Sequence, residues 1–108
     1  MSDTINKALN IQINNELYAA YLYLGIATYF KNNNLPGFAK WMQTHAQEEM
    51  VHAMKIYDFV LNNKNWQLQL LPIKAPGNHW HTPIDALAAA YEHERNITES
   101  INNLVKLA

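Results

Sequence analysis

Two carboxylates and two imidazoles occur within eight residues of the chain, in the stretch HAQEEMVH at positions 45–52. Glu49 and His52 are three residues apart, and on a helix this spacing places both side chains on one face, where they can reach one ion. Oxygen-rich sites with a single imidazole suit iron or manganese, and zinc often competes for them. The stretch therefore predicts part of a metal site on a helix.

Two other segments place an acid in the middle of an apolar helical pattern, Glu16 in the first and Glu94 in the third. An ionised carboxylate that enters a low-dielectric core without compensation lowers the stability of the fold by several kcal/mol. Since no lysine or arginine shares these positions, protonation, a water-filled cavity or bound cations must compensate the charge, and we expect bound cations. His45 lies on the same pattern, and we expect it to be a core histidine or a partner of a ligand. Tyr23 follows Glu16 by two turns, so its phenol could hydrogen-bond a ligand or donate an electron.

The elements that must position these residues are three long helices, predicted at about 4–33, 37–64 and 83–107. Pro36 suits the first turn of the second helix. Thr82, Pro83 and Asp85 provide an N-cap, a proline at the first helical position and an acid in the first turn of the third. The pattern predicts an all-α helical bundle that forms a single domain over residues 1–108.

About 16 residues, WQLQLLPIKAPGNHWH, separate the second and third helices. A turn between antiparallel neighbours needs only two to eight residues, so this segment is predicted to cross from one end of the bundle to the other. Its large apolar side chains are expected to lie against the bundle or a second subunit. They are Trp66, Leu68, Leu70, Leu71 and Trp80.

Composition narrows the class of protein. The 108 residues carry a net charge of −1 and no cysteine, so the sequence favours neither nucleic acid nor an anionic membrane as a partner, and it excludes disulfides and thiolate metal sites. No apolar run approaches the roughly 20 residues that cross a bilayer. We therefore expect a soluble, cytoplasmic domain.

Three stretches resemble the first, second and third helices of the bacterial non-haem ferritins, and together they cover nearly the whole chain. They are LNIQINNELYAAYLYL, HAQEEMVHAMKIYDFV and YEHERNIT. The resemblance implies a ferritin-like antiparallel helical bundle in which the fourth long helix of the family is missing from this sequence. We expect either a fragment of a longer protein or a fourth helix supplied by another copy.

The resemblance also implies a function, iron storage with ferroxidase oxidation of Fe(II) by O2 or hydrogen peroxide. Glu16, Glu49 and His52 would hold one iron, and Glu49 would bridge to a second iron held by Glu94. Bundles of this kind use a second Glu-x-x-His pair, which this chain lacks. Full-length family members would assemble as homo-oligomers, in a 24-subunit shell.

The resemblance also assigns places to two further residues. Tyr23 would lie beside the dinuclear centre, and Glu48 would be a ligand to a third iron. Two other functions stay open at this point. One is a catalytically silent helical assembly module with a relic metal site. The other is a haem-containing bacterioferritin, because the Glu-Met-x-His string that includes Met50 is shared by both groups.

Overall fold

The structure, a computed structural model, describes residues 2–107 and contains three long helices. α1 spans Ser2–Asn32, α2 spans Pro36–Leu61 and α3 spans Pro83–Leu107. The all-α architecture is therefore as predicted. α2 ends at Leu61 rather than at residue 64, because the Asn63 side chain accepts a hydrogen bond from the Asn65 N–H at 3.0 Å and starts a turn.

A tight reversal joins α1 to α2. Asn34 adopts a positive φ of 61°, and the Leu35 N–H donates to the Phe30 carbonyl at 2.9 Å while the Asn34 N–H donates to the Lys31 carbonyl at 3.3 Å. These two bonds form a Schellman cap, in which asparagine tolerates the left-handed conformation. Leu35 packs on the core beneath the cap, so the reversal sets α2 antiparallel to α1.

α1 is the central helix, since it packs against both α2 and α3. Within residues 2–107, the backbones of α2 and α3 do not approach each other closely, so a groove remains between them, although the His45 and Glu94 side chains come within 3.8 Å. The Thr82 hydroxyl accepts the Asp85 N–H at 3.1 Å, which confirms the predicted cap of α3. In this described part of the chain, none of the helices is both long and apolar enough to span a bilayer.

Two apolar clusters form the core, one towards each end of the bundle. The larger contains Ala19, Tyr23, Phe30, Met42 and other side chains of the three helices. The smaller is built around Leu9, Ile13 and Val60. Glu16 and Glu49 lie between the two clusters along their helices, so the acids interrupt the core at mid-length.

Asparagine side chains four residues apart on α1 hold the crossover in place. Asn10 donates to the Gln67 carbonyl at 2.7 Å and accepts the Gln69 N–H at 2.6 Å. Asn14 makes the same pair of bonds one turn later. It donates to the Gln69 carbonyl at 3.1 Å and accepts the Leu71 N–H at 2.8 Å. Four residues of a helix advance about 6.0 Å along its axis, and two residues of an extended chain advance about 6.6 Å. Every fourth residue of α1 can therefore bond to every second residue of the crossover.

The crossover buries only some of its apolar side chains. Trp66 and Leu68 pack on the smaller cluster and Trp80 on the larger, as expected. Leu70 and Leu71 remain exposed within this chain. This chain's own bundle therefore does not cover them, and their contact with a second subunit stays a prediction.

Gly25 marks the closest approach of the crossover to α1. A Cβ at Gly25 would overlap the carbonyl oxygen of Gly77 and lie 3.3 Å from Cγ of Pro76. Gly37, in the first turn of α2, has nothing within 4 Å of the same position. The two helical glycines thus differ in the room available for a side chain and not in backbone conformation, since neither has a positive φ.

Replacing Gly25 by alanine is expected to lower the free energy of unfolding by about 1–3 kcal/mol, the usual range for overpacking. Helix propensity alone would instead raise it by about 1 kcal/mol. Urea denaturation of Gly25→Ala and of the control Gly37→Ala separates these effects. A stabilised Gly25→Ala variant would show that the crossover can move away from α1 without loss.

Candidate metal centre

Glu16 from α1 and Glu49 and His52 from α2 converge on one point in the middle of the bundle. One ligand atom from each lies within 4.8 Å of the others. Nδ1 of His52 is 3.8 Å from Oε2 of Glu16 and 3.7 Å from Oε2 of Glu49. Two ligands each about 2.1 Å from an ion are at most about 4.2 Å apart, so the two distances suit a single cation between the three groups.

The two carboxylates are buried and the imidazole is not. Glu16 is 1% exposed and Glu49 is 4% exposed, whereas the side chain of His52 is 53% exposed. Oε1 of Glu16 and Oε2 of Glu49 are buried without a hydrogen-bond partner. A buried polar atom without a partner costs about 1–3 kcal/mol and more when charged, and a bound cation would remove this cost.

The metal-free centre holds a proton on Glu16 at neutral pH. Burial, together with a hydrogen bond to Glu49 and the negative charges of Glu49 and Glu94, raises the pKa of Glu16 to about 8. Burial also raises the pKa of Glu49, and the charge of Glu94 adds to the effect, while the hydrogen bond from Glu16 opposes it. A cation that binds here must therefore displace a proton from Glu16 near neutral pH.

Glu94 of α3 lies beside this group and is held by Tyr23. The Tyr23 hydroxyl donates to Oε1 of Glu94 at 2.7 Å, and burial together with this bond raises the pKa of the phenol. The side chain of Glu94 is 37% exposed. Glu94 is outside the three-residue group, so its role as a ligand to a second ion stays a prediction.

His45 contacts Glu94 and Tyr23 rather than the three-residue group. Its Nδ1 is buried without a hydrogen-bond partner and lies 3.8 Å from Oε1 of Glu94. Its ring is edge-on to Tyr23, with centroids 5.7 Å apart. His45 would therefore be a partner of a ligand if Glu94 binds a metal, and this role stays a prediction.

Glu48 does not join the cluster. It is exposed on α2 and is absent from the group formed by Glu16, Glu49 and His52. Its neighbour Glu49 is buried because adjacent helical residues point about 100° apart. The role of Glu48 at a third iron is a prediction that these contacts leave untested.

One residue near the centre was missed from the sequence. His93 of α3 is edge-on to both Tyr18 and Tyr23, with centroid distances of 5.3 and 6.3 Å. Burial lowers the pKa of its imidazole, and its Nε2 is buried without a partner. Its place next to Glu94 in YEHER was the only available signal.

The groove between α2 and α3 opens beside Glu94. It forms a cavity of about 360 Å³ with Tyr23 of α1 in its lining. Aromatic and aliphatic side chains of α2 and α3 form its walls, among them Trp41, Leu87 and Tyr91, with His45 and Glu94 also lining it. Glu94 and His45 thus face this groove, whereas Glu16, Glu49 and His52 are not part of its lining.

Comparison with known proteins gives a consistent result. The family described as Ferritin-like domain matches residues 6–108. A bacterial non-heme ferritin of Campylobacter jejuni is 39% identical over 106 residues, which are 98% of this chain and 63% of that protein. A bacterial non-heme ferritin of Bacteroides fragilis is 32% identical over 108 residues, 100% of this chain and 67% of that protein.

Solved structures agree. A humanized archaeal ferritin superposes with a TM-score of 0.93 at 45% identity, covering 100% of this chain and 65% of that one. An open-pore ferritin from Archaeoglobus fulgidus has a TM-score of 0.93 at 44% identity, again with 100% and 65% coverage. The chain therefore spans about two thirds of the length of the proteins it matches.

Proposed function

The chain belongs to the family of ferritin-like domains, and on this premise we propose that it serves iron storage by binding Fe(II) and oxidising it to Fe(III). The observation that carries the proposal is the convergence of two buried carboxylates and one imidazole around the space of a single ion. The names of the relatives, bacterial non-heme ferritins, support iron as the metal.

Each residue has a distinct part in this reaction. Glu16 and Glu49 supply hard oxygen ligands, which favour the more highly charged Fe(III) product over Fe(II). His52 supplies a nitrogen ligand, and its exposure places it where an ion would enter from solvent. Each iron loses one electron to O2 or hydrogen peroxide, and the proton held by Glu16 is released when the ion binds.

A second iron would lie between Glu49 and Glu94. Glu49 would bridge the two ions, and the hydrogen bond from Tyr23 would orient the Glu94 carboxylate. These two acids alone make a weak second position, so we expect one tight ion per chain and slow oxidation. Glu48 would contribute to a third iron from its exposed position on α2.

Assembly and location complete the proposal. The groove between α2 and α3 would receive a further helix, from a longer chain or from another copy, because its aromatic walls are otherwise wet. A homo-oligomeric shell of 24 subunits would then enclose the Fe(III) mineral. We place the protein in the cytoplasm.

The test is aerobic oxidation of Fe(II), followed by the absorbance of Fe(III). His52→Ala is expected to slow the reaction at least about tenfold, since even the loss of an outer-shell partner of a metal commonly costs 10–100-fold. His81→Ala removes an exposed histidine of the crossover and is the matched control, with no effect expected.

Two outcomes would favour the other functions. An oligomer that takes up no iron and oxidises Fe(II) no faster than buffer would indicate a silent assembly module. A Soret band after expression with haem available would indicate a haem-containing bacterioferritin. Equal rates for His52→Ala and the parent would contradict the assigned centre.

A further inference from the structure

Tyr23 is fully buried, yet its hydroxyl is hydrogen-bonded to a carboxylate at the candidate centre. If this phenol gives up an electron, a reductant dissolved in water cannot contact the ring to replace that electron, because the ring is buried. Replacement must come by transfer through neighbouring groups. The aromatic rings in contact with Tyr23 therefore decide which residue supplies it.

Two imidazoles stand edge-on to the Tyr23 ring, and each leads to one larger aromatic ring. His45 leads to Trp41, with centroids 5.3 Å apart and planes at 83°. His93 leads to Tyr18, also with centroids 5.3 Å apart. Geometry alone does not separate the two routes, because both are chains of three rings in contact.

Charge separates them. The ammonium of Lys74 lies 6.0 Å from the centroid of the Tyr18 ring. A cation stabilises the neutral, electron-rich ring and repels the positive charge that forms when an electron leaves. Within residues 2–107, no cation is recorded over Trp41.

The two rings also differ in the order in which they lose an electron and a proton. A phenol such as that of Tyr18 must release its proton as it is oxidised. An indole can lose an electron first and its proton afterwards. Trp41 is exposed in this chain, so its Nε1 proton can pass to water as long as the groove beside it is not filled by a further helix.

We propose that Trp41 is an auxiliary electron donor to Tyr23, with His45 as the bridge between the two rings. The inference rests on the proposed iron oxidation, which supplies dioxygen as the oxidant. Tyr23 gives one electron to the oxidant, and its phenolic proton moves to Oε1 of Glu94. Trp41 then gives one electron to the Tyr23 radical, Glu94 returns the proton, and Tyr23 is restored.

The net change is the transfer of one electron from the Trp41 indole to the oxidant. The indole radical cation then loses its Nε1 proton to water. Trp41 thus protects the buried phenol, and oxidative damage is directed to a residue away from the ligands. His45 is a bridge and is itself neither oxidised nor reduced.

The experiment mixes the full chain with Fe(II) and air and freezes samples at successive times for electron paramagnetic resonance. The parent is expected to show a short-lived tyrosyl signal and then a tryptophanyl signal. Trp41→Phe should lose the tryptophanyl signal and prolong the tyrosyl signal several-fold. Trp41→Tyr, which keeps an oxidisable ring, should restore part of the fast decay.

Two variants serve as controls. Tyr18→Phe tests the competing route, and Trp80→Phe removes an indole that contacts Tyr29 instead; neither should change the signals. Unchanged tyrosyl decay in Trp41→Phe, or prolonged decay in Tyr18→Phe, would overturn the proposal while iron oxidation proceeds. A parent that forms no Fe(III) faster than buffer would overturn the proposed function and, with it, the oxidant assumed here.

Discussion

Glu49→Gln is expected to make the metal-free chain more stable and at the same time to remove its tight metal binding. Glu49 is buried between Glu16 and Glu94, and both its burial and the charge of Glu94 disfavour its ionised form. Glutamine keeps the shape and can still accept a hydrogen bond from protonated Glu16. Because glutamine carries no charge that burial disfavours, the free energy of unfolding of the metal-free chain should increase.

The same substitution removes the ligand that faces both Glu16 and His52. Metal affinity should fall at least about 100-fold, the upper end of the loss seen for outer-shell partners alone. Urea denaturation of the metal-free protein and calorimetric titration with Co(II) measure the two effects. Glu99→Gln, at an exposed acid of α3, should change neither. A destabilised Glu49→Gln variant with normal affinity would contradict this account of the centre.

The stability of the metal-free chain should fall as the pH rises from about 5 to about 8. Glu16 has a pKa of about 8 in the folded chain, whereas a glutamate side chain in water, as in the unfolded chain, has a pKa of 4.5. Between these values the folded state holds a proton that the unfolded state has lost, so a rise in pH favours unfolding. The slope reaches about 1.4 kcal/mol per pH unit for one such group.

Metal binding should show the opposite dependence. Because the cation displaces the proton on Glu16, affinity should rise up to about tenfold per pH unit below pH 8. Glu16→Gln removes the proton and should flatten the fall in stability, although it also weakens binding. Urea denaturation from pH 5 to 9 and calorimetry in buffers of different ionisation enthalpy provide the data. Stability that rises over this range would show that Glu16 is ionised in the folded, metal-free chain.

The periodicity of the sequence was sufficient to predict the three helices, the acids at mid-length of their apolar faces and the shared face of Glu49 and His52, whereas the grouping of Glu16 with these two residues came from the family resemblance. The features predicted from periodicity follow from the 3.6-residue repeat, which determines which side chains share a helical face. An acid at mid-length of an apolar pattern is conspicuous for the same reason. The Thr82 cap was also readable, because threonine, proline and an early acid each act locally.

Contacts between distant segments could not be predicted in this way. In the sequence, Asn10 and Asn14 are ordinary polar residues of a helix, and only the structure shows that they bond to the crossover. Gly25 is predicted only to destabilise its helix, and only the structure shows that Gly77 packs against it. Leu70 was expected to lie against the bundle or a second subunit because it is large and apolar, and its exposure within this chain depends on the register of the crossover. The pairing of Tyr23 with Glu94 similarly depends on how α1 and α3 are aligned.

The central claim is that Glu16, Glu49 and His52 hold one iron. The most direct test is a crystal soaked anaerobically with Fe(II) and measured at the iron absorption edge. We expect an anomalous peak about 2.1 Å from one oxygen of each carboxylate and from Nδ1 of His52, and its loss in Glu49→Gln. Ordered iron only elsewhere, such as at Glu48 or the crossover histidines, or a peak that persists in Glu49→Gln, would contradict the claim.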